Sequence, residues 1–552
     1  MDKPRIFFYH DGRHPLIYMY EPPMLKEEYE AAIDELAGTP VEAVTFCLGE
    51  GRVFLHDTKA GEFWGHNIPK WPKISRQRTH MNAKALIEAG HDPLRIVCDR
   101  AHEKGMLLYP SLILQQASDT RRPLESHEDY LAALADGSNS YLFERCSDFR
   151  FENKHLEIGA KGDLDPSFPC PGNLDFMHEE SRNERFAIIE EVLHNYPVDG
   201  FQLQLQSSCY FFRPDQVDEG RPIFTEWIRK VHDEVKKSGA DRELVIRIPL
   251  DIDHCESVGM DLKEWVSEGL VDVIIGHDTE AKFQLNPNSN YLPLIDLCKG
   301  TTCRVFGSLA DQISTDRLHS APISGTRGAA CNYWAQGIDG MELWFWFIDW
   351  PHEASFYQRL REVPHTQVMT PKDKFYHLLT ETPQGKPEAR TDTFQLPAPL
   401  EIGQPTTIQI AISDDLPHWD SMGRVHEVIL RLRVAEVTER SRLRFTLNGK
   451  ELPDHLLRKI NEIYRMSAPR NRVQSGYWFI FKLDPEHWPV QGGNALEVIL
   501  VETDPKLITP TAYIRDVELE TKYLMGKNFH RGFVDADLGP YDATQPQSDA
   551  WR

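Results

Sequence analysis

Residues 198–206 read Val-Asp-Gly-Phe-Gln-Leu-Gln-Leu-Gln, so that apolar and polar side chains alternate along the second half of this stretch. Such alternation predicts a β-strand, because successive side chains of a strand point to opposite faces. Long stretches with helical apolar spacing flank it at 178–195 and 214–238, and a third lies at 324–337. The pattern predicts a strand enclosed by helices, with its side chains divided between two faces: Phe201, Leu203 and Leu205 on one, Gln202, Gln204 and Gln206 on the other.

The same succession of a short strand-like run and a longer amphipathic stretch extends to about residue 370. Eight strand-like runs are recognisable, at 5–9, 43–48, 106–114, 200–206, 244–250, 271–277, 304–309 and 340–346. Eight strand–helix units in this length are typical of a closed (β/α)₈ TIM barrel. A dinucleotide-binding sheet is the competing fold, but no Gly-x-Gly-x-x-Gly follows the first run. The long insertions at 49–82 and 115–177 are expected to build a cleft at the barrel's C-terminal face.

Both periodicities stop at 381–399, a stretch with four prolines and one glycine. Beyond it strand follows strand, at 406–413, 425–434, 443–447, 477–483, 495–501 and 513–520, which predicts an antiparallel β-sandwich. We therefore expect an α/β chain made of a barrel, a linker, an accessory sandwich and a polar C-terminal tail, at 1–380, 381–399, 400–525 and 526–552 respectively.

The net charge and the cysteine content limit the classes of binding partner and the cellular compartment that we expect. The formal net charge of −24 disfavours binding to nucleic acid or to anionic membrane surfaces, because both require a basic patch. A neutral substrate suits this charge best, although a local arginine cluster could still bind an acidic one. The nine cysteines form no Cys-x-x-Cys pair, and the N-terminus has no secretory pattern, so reduced thiols and a cytoplasmic location are expected.

The parity of a barrel strand separates side chains under the helices from those in the lumen. On this basis the three glutamines of 198–206 point inward, as do Glu342, Trp344 and Trp346 of the eighth run, and Arg247 and Asp278 face the interior or its mouth. Barrel active sites lie at the C-terminal ends of the strands. The competing structural roles are a satisfied polar layer for the glutamines and an Arg247–Glu342 pair, core filling for the tryptophans and a helix cap for Asp278.

Several blocks carry a resemblance to a known group of proteins. They are VDGFQLQLQSSCYFFRPDQVDEGRPIFTEWIRKV from 198, LVIRIP from 244, DLKEWVSEGLVDVII from 261, RGAACNYWAQGIDGMELWFW from 327, VFLHDTKAGEFWGHN from 53 and YEPP from 20. Together they resemble the family 10-like glycosylhydrolase barrels common in bacterial genomes. The resemblance covers most of the first 350 residues. It implies a TIM barrel with carbohydrate-related activity and does not fix a substrate.

The chain departs from this family at the fourth strand. Such barrels usually read Asp-Gly-Ile-Glu-Leu-Asp there, whereas this chain keeps Asp199 and Gly200 but has Gln202 and Gln204 at the two acid positions. The third strand departs as well, because it reads Ile-Leu-Gln-Gln at 113–116 where relatives tend to carry arginine, asparagine and aspartate. An amide neither transfers protons as a carboxyl does nor acts as a glycosyl nucleophile.

Three functions remain open: a hydrolase acting on a glycan or glycoside, a non-catalytic glycan-binding protein, and a sugar lyase or isomerase. For the hydrolase we predict Asp278 and Glu342 as the acids, with Glu342 more suited to orienting Arg247. Asp251, Asp253, Glu280 and Glu62 are further carboxyl candidates. The predicted substrate-binding residues are Gln202, Gln204, Gln206, Arg247, Trp344, Trp346, Trp64, His66 and Asn67.

No nicotinamide or flavin cofactor is expected, because no Gly-rich phosphate turn is present. His56, Asp57, His66 and Asn67 are near one another in the sequence, but they lack the close helical spacing of metal ligands, so no metal is expected. The sandwich is similar to accessory modules that follow such barrels. We expect it to pack against the barrel, with independent sugar binding as the alternative.

Overall fold

The computed structural model describes residues 3–68, 70–71, 73–115, 145, 147–279, 281, 283–313, 318, 320–348, 350–380, 394–461, 476–506 and 512–524. The predicted linker lies outside these residues over 381–393, and the predicted tail at 526–552 lies wholly outside them. The chain divides into two compact units. One consists of Met1–Thr279, Tyr291–Ser308 and Ile338–His352, and the other of Glu280–Asn290, Leu309–Gly337 and Glu353–Arg552.

Eight parallel strands close into a barrel, in which the first strand pairs with both the second and the eighth. In chain order they are Ile6–His10, Ala43–Glu50, Leu107–Ile113, Gly200–Gln204, Glu243–Pro249, Val273–His277, Arg304–Ala310 and Gly340–Trp344. Two short strands, Val53–Phe54 and Glu62–Phe63, extend the sheet beyond the second barrel strand. The predicted TIM barrel is confirmed, and each predicted barrel strand agrees with the observed one to within two residues at either end.

Helices follow the barrel strands, as the apolar spacing predicts. They are Lys26–Asp34, Ile74–Glu88, Pro93–Glu103, Asp148–Glu152, Glu179–Asn195, Val217–Ser238, Ile252–Ser257, Leu262–Ser267, Leu292–Cys298, Ile323–Gln336, Ala354–Glu362 and Thr366–Met369, with short π and 3₁₀ turns at Pro15–Met19 and Lys154–Leu156. The side chain of Asp251 accepts the backbone N–H of His254 and so caps the helix that follows. Among the described residues, none of the helices is both long and apolar enough to cross a bilayer.

The barrel lumen is apolar towards the N-terminal ends of the strands. Buried side chains from six barrel strands meet there in one cluster: Phe7, Ala43, Tyr109, Val245, Val273, Ile275 and Phe306. Side chains from so many strands of a closed sheet can meet only in its interior. The cluster therefore fixes the inward parity of each strand that contributes to it.

The C-terminal part forms two antiparallel sheets. The larger contains Lys374–His377, Ala398–Pro399, Val425–Ala435, Leu457–Asn461, Gly476–Leu483 and Tyr513–Tyr523, and the smaller contains Pro405–Ile412, Arg442–Leu447, Lys450–Glu451 and Gly492–Glu502. A short helix, Leu416–Ser421, and a 3₁₀ turn, Asp454–Leu456, connect strands. Buried residues of both sheets, such as Ile410 and Leu430, share one core. The predicted antiparallel sandwich is confirmed.

The second unit begins earlier in the chain than the predicted boundary at 381. Strand Lys374–His377 pairs with Tyr513–Tyr523 in the larger sheet. Helix Ile323–Gln336 also belongs to this unit, and a Cβ at Gly328 would lie 2.7 Å from the Phe375 carbonyl oxygen. Composition marks the proline-rich break, but it does not show which sheet a short strand such as 374–377 joins.

Candidate active site

A polar layer lies inside the barrel on the C-terminal side of the apolar cluster. Its centre is Glu342, which is fully buried. Its carboxylate accepts hydrogen bonds from the Thr45 hydroxyl at 2.7 Å and the Gln202 amide at 2.8 Å, and it forms an ion pair with Arg247. These partners belong to the second, fourth and fifth strands, so Glu342, Gln202 and Arg247 point into the lumen as predicted. Because these contacts of the Glu342 carboxylate are all with side chains of the same polar layer, Glu342 is suited to holding Gln202 and Arg247 in place.

The glutamines of the fourth strand form a hydrogen-bonded ladder. Gln202 accepts the hydroxyl proton of Ser111, whose oxygen in turn accepts from the Gln204 amide at 2.9 Å. The Gln206 amide donates to the Gln204 carbonyl oxygen at 3.3 Å. The buried Gln206 carbonyl oxygen has no hydrogen-bond partner within the described part of the chain. The hydrogen bonds thus connect Gln202 to Gln206, and the acceptor without a partner, the Gln206 carbonyl oxygen, lies at the C-terminal end of the ladder.

The guanidinium of Arg247 packs against two aromatic rings that also contact each other, with their centroids 4.2 Å apart. Its central carbon is 3.8 Å from the centroid of Trp344 and 4.6 Å from that of Tyr9. Burial lowers the pKa of Arg247 to about 9, so the side chain is still cationic at neutral pH. Its Nε and Nη1 have no hydrogen-bond partner among the described residues. The layer thus contains a buried cation with unused donors.

The sixth strand contributes His277 to this layer. Its Nδ1 lies 2.9 Å from the Ser308 hydroxyl, and its ring meets Trp344 edge-on, with the centroids 5.0 Å apart. Burial, reinforced by the charge of Arg247, lowers the pKa of His277 to about 3. His277 is therefore a neutral imidazole at physiological pH, available as a hydrogen-bonding group and not as a cation.

The inward parity predicted for Asp278 is wrong. Val273 and Ile275 lie in the lumen cluster, so His277 is the inward residue at the end of this strand and Asp278 follows it on the opposite parity. The sequence misleads here because this strand is buried on both faces and shows no polar alternation. Asp278 is half-buried directly after the strand, and its role as an acid stays a prediction. Trp346 is fully buried, like a core residue.

A cluster of charges lies where the first two barrel strands end. Arg13 contacts Asp11 and Glu50 with nitrogen–oxygen distances of 3.6 Å each, and Arg145 forms a second ion pair with Glu50. The two guanidinium carbons lie 5.9 Å and 5.6 Å from the ring of Trp64. Glu50 is only 6% exposed, and its Oε2 has no hydrogen-bond partner within the described residues.

Asp11 is ionised in this cluster. Burial alone would raise its pKa, but the charge of Arg13 and the backbone N–H of His14 hold the pKa of Asp11 below its usual value. Sequence reasoning missed Asp11, Glu50 and the two arginines. The available signal in the sequence was Glu50, a charged residue between two glycines at the end of the second barrel strand. The two arginines could not be placed beside it, because they come from distant parts of the chain.

His66 and Asn67, which were predicted to bind substrate, contact Asp148. His66 Nε2 is 2.9 Å from one Asp148 oxygen, and the Asn67 amide donates to the other at 2.8 Å. Glu62 accepts the backbone N–H groups of Asp148 and Phe149 and so caps the helix there. These contacts give both predicted residues a structural role, because they join the insertion after the second barrel strand to the insertion after the third.

Among the residues that the structure describes, two groups of side chains offer metal-ligand atoms within 4.8 Å of one another: Glu62, His66 and Asp148, and Glu190, His194 and Glu234. In the first, Glu62 also pairs with Arg52 at 3.1 Å. In the second, Glu234 also pairs with Lys237 at 3.0 Å. These cations already compensate the carboxylates, and the expectation of no metal stays a prediction.

No protein-family model matches the chain, and no curated protein sequence matches it. Among solved structures, the endo-beta-1,4-mannanase from Thermotoga petrophila is similar with a TM-score of 0.43 and 10% identity, over 94% of this chain and 98% of that one. The glycoside hydrolase domain of PgaB (BpsB) from Bordetella bronchiseptica gives a TM-score of 0.38 and 13% identity, over 65% of this chain and 98% of that one.

A cycloisomaltooligosaccharide glucanotransferase from Paenibacillus sp. gives a TM-score of 0.32 and 11% identity over 93% of this chain. The chain spans 57% of the length of that glucanotransferase. All three proteins bear the names of carbohydrate-active enzymes or domains. The narrower resemblance to family 10-like barrels stays a prediction, as does the cytoplasmic location.

Proposed function

We propose that the chain is a carbohydrate-active hydrolase that binds a glycan or glycoside at the C-terminal mouth of its barrel. The observation that supports this most directly is the environment of Glu50. One carboxylate oxygen is held by Arg13 and Arg145, and the other is buried without a donor among the described residues. An unpaired buried acceptor is costly, on the order of 1–3 kcal/mol, and a sugar hydroxyl is a donor that removes this cost.

The geometry also offers a second carboxylate near Glu50. Asp11 and Glu50 contact the same Arg13 side chain, so their two contacting oxygens are at most about 10 Å apart, and this upper limit includes the range of roughly 5–9.5 Å found in glycosidase carboxyl pairs. Because Asp11 is ionised, it is suited to act as a base or an electrostatic partner and not as the proton donor. Asp278, which follows the sixth strand at the same end of the barrel but on the parity opposite to the lumen residues, stays the proposed donor from the sequence.

The inner layer would position the substrate in this proposal. Within the described part of the chain, Nε and Nη1 of Arg247 and the side-chain carbonyl oxygen of Gln206 have no hydrogen-bond partner, so they could bind sugar hydroxyls. Glu342 orients Arg247 and Gln202, since all its contacts are within the layer. The predicted binding residues of the lumen thus have donors and acceptors that suit a neutral polyhydroxylated ligand.

A second candidate function is glycan binding without turnover. It is favoured by the fourth strand, where Gln202 and Gln204 occupy the positions at which the resembling family carries acids, and where both amides are bound to Ser111. The two functions share the same mouth and differ in whether its remaining carboxyls act on the glycosidic bond.

Turnover by the full-length protein distinguishes them. We would measure release of 4-nitrophenol from a panel of 4-nitrophenyl glycosides and of reducing ends from polysaccharides. Glu50→Gln and Asp278→Asn should each lower turnover by about 10²-fold or more, the scale expected for losing an acid or base. Glu502→Gln, an exposed carboxylate of the sandwich, is the matched control and should leave turnover unchanged.

The outcomes separate the candidates. Saturable glycan binding with no turnover by the wild type would favour the second function. Wild-type turnover in both Glu50→Gln and Asp278→Asn would remove these carboxyls from the chemistry. Absence of both turnover and binding across the panel would contradict a carbohydrate function altogether.

A further inference from the structure

A separate cavity of about 480 Å³ lies between the insertion after the second barrel strand and helix Ile74–Glu88. Its volume is in the range of small-molecule sites, roughly 300–1,000 Å³. The residues that line it and matter here are His56, Phe63, His66, Trp71 and His80. None of them belongs to the proposed mouth.

One wall of the cavity consists of three rings. The centroid of His80 lies 5.2 Å from that of Phe63 and 5.2 Å from that of Trp71. All three side chains are half-buried, so part of their ring surface is accessible. Gly65 has a φ of +69°, and a Cβ there would lie 2.2 Å from the Trp71 ring, so only glycine lets Trp71 pack against this turn.

Two neutral imidazoles supply polar atoms. The Nδ1 of His80 lies 2.8 Å from the Trp64 carbonyl oxygen, to which it donates, so its Nε2 is an acceptor. His56 is 3% exposed, and its Nε2 has no hydrogen-bond partner among the described residues. Burial lowers the pKa of both histidines, which keeps them uncharged at neutral pH.

The remaining polar groups of the cavity are already engaged. Both nitrogens of His66 contact oxygens, those of Phe63 and Asp148. Lys84 and Glu88 lie one helical turn apart with a nitrogen–oxygen distance of 3.8 Å, so their charges compensate each other. The cavity therefore combines aromatic faces and uncharged hydrogen-bonding atoms with little unbalanced charge, which favours a neutral ligand.

We infer that this cavity binds a neutral pyranose residue of a glycan. The rings of Trp71, Phe63 and His80 pack against the apolar face of the sugar, and the Nε2 atoms of His56 and His80 bind its hydroxyls. Trp64 connects the two sites, because its carbonyl oxygen binds His80 while its ring contacts Arg13 and Arg145. The inference deepens the proposed function and rests on it, by adding a second sugar subsite beside the mouth.

Binding is best tested in full-length Glu50→Gln protein, in which slower turnover is expected to preserve the sugars during the titration. Isothermal titration would use methyl glycosides of glucose, mannose, galactose and N-acetylglucosamine and their β-1,4-linked oligosaccharides, with 4-nitrophenol as an aromatic probe. Trp71→Ala and His56→Leu should each weaken the Kd of the bound sugar at least about tenfold. His91→Leu, at an exposed histidine of the same unit, is the matched control and should leave it unchanged.

His80→Gln keeps a polar side chain and serves as a further variant if Trp71→Ala does not fold; it too should weaken the Kd. Sugar affinity unaffected by His56→Leu and by the variants at Trp71 or His80, or binding of 4-nitrophenol but of no sugar, would overturn the inference. The two proposals fail separately. Trp71-dependent sugar binding without wild-type turnover leaves this site intact, whereas turnover without such binding refutes only the second site.

Discussion

Glu342 illustrates how a fully buried carboxylate is stabilised by side chains from other strands. Thr45 and Gln202 each donate a hydrogen bond to it, and Arg247 supplies the opposite charge. Removing charges from water is expensive, and an ion pair offsets this cost only when its remaining atoms are hydrogen-bonded. The hydrogen bonds from the Thr45 hydroxyl and the Gln202 amide satisfy the carboxylate of Glu342 in this way.

We predict that Glu342→Gln lowers the free energy of unfolding by about 3–5 kcal/mol, because Arg247 would keep its charge in the lumen without a counter-ion. Urea unfolding measured by tryptophan fluorescence checks this. Glu502→Gln breaks an exposed pair with Arg442 and should cost less than about 1 kcal/mol. Equal effects of the two substitutions would show that Glu342 is not important for stability.

The buried His10 should make the free energy of unfolding depend on pH. Its Nδ1 accepts the backbone N–H of Gly12 at 3.0 Å, and burial lowers its pKa to about 4. In the unfolded chain an imidazole has a pKa near 6.5 and so binds a proton first as the pH falls. The stability from neutral His10 is therefore present above about pH 6.5 and is lost between about pH 6.5 and 4, by up to about 3 kcal/mol.

Melting temperatures of the wild type and His10→Asn from pH 7 to pH 4 measure this contribution. Asparagine keeps an acceptor for the Gly12 N–H but does not titrate, so the variant should lose less stability on acidification. His91→Gln, at an exposed site, should follow the wild type. Parallel curves for all three proteins would contradict the role of His10.

The sequence predicted the lumen residues where polar and apolar side chains alternate. Gln202 and Gln204 were assigned correctly because apolar side chains, Phe201, Leu203 and Leu205, alternate with them. Asp278 was assigned wrongly because its strand is apolar on both faces. Glu50 could not be recognised as part of a cluster, since the arginines that surround it come from segments that only the fold brings together.

Among the elements, the barrel strands were predicted to within two residues because each is a short β-branched or aromatic run between amphipathic helices. Their close packing gives a testable case at the start of the fourth strand. A Cβ added to Gly200 would lie 2.4 Å from the Glu243 carbonyl oxygen and 2.5 Å from the ring of Tyr109. The neighbouring strand and the lumen thus leave space for a hydrogen atom only.

Gly200→Ala should therefore destabilise the protein by about 1–3 kcal/mol, the usual cost of overpacking. Thermal unfolding of the full-length protein measures the change. Gly493→Ala is the matched control, because a Cβ there has no neighbour within 4 Å. If Gly200→Ala melts at the wild-type temperature, the tight contact between the fourth and fifth strands is not present in solution.

At the scale of the whole molecule, the second unit is assembled from separate segments of the chain. Strand Lys374–His377 lies in a sheet whose other strands follow more than twenty residues later. Lys374 is fully buried there, and its Nζ donates to Asp414 at 2.7 Å. The sequence could not reveal this, because neither strand pairing nor the counter-ion of a lysine is encoded in local periodicity.

A fragment of residues 1–380 is consequently predicted not to melt cooperatively. It would keep strand Lys374–His377 but lose its partner Tyr513–Tyr523, exposing an unpaired edge that carries the apolar Phe375 and Tyr376. Lys374 would also lose the carboxylate of Asp414 that compensates its charge. Calorimetry and size-exclusion chromatography of the fragment and of the full-length protein check this. A soluble, monomeric fragment with a sharp transition would instead support a barrel domain that ends at residue 380, because it would show that residues 1–380 fold without the pairing of Lys374–His377 with Tyr513–Tyr523.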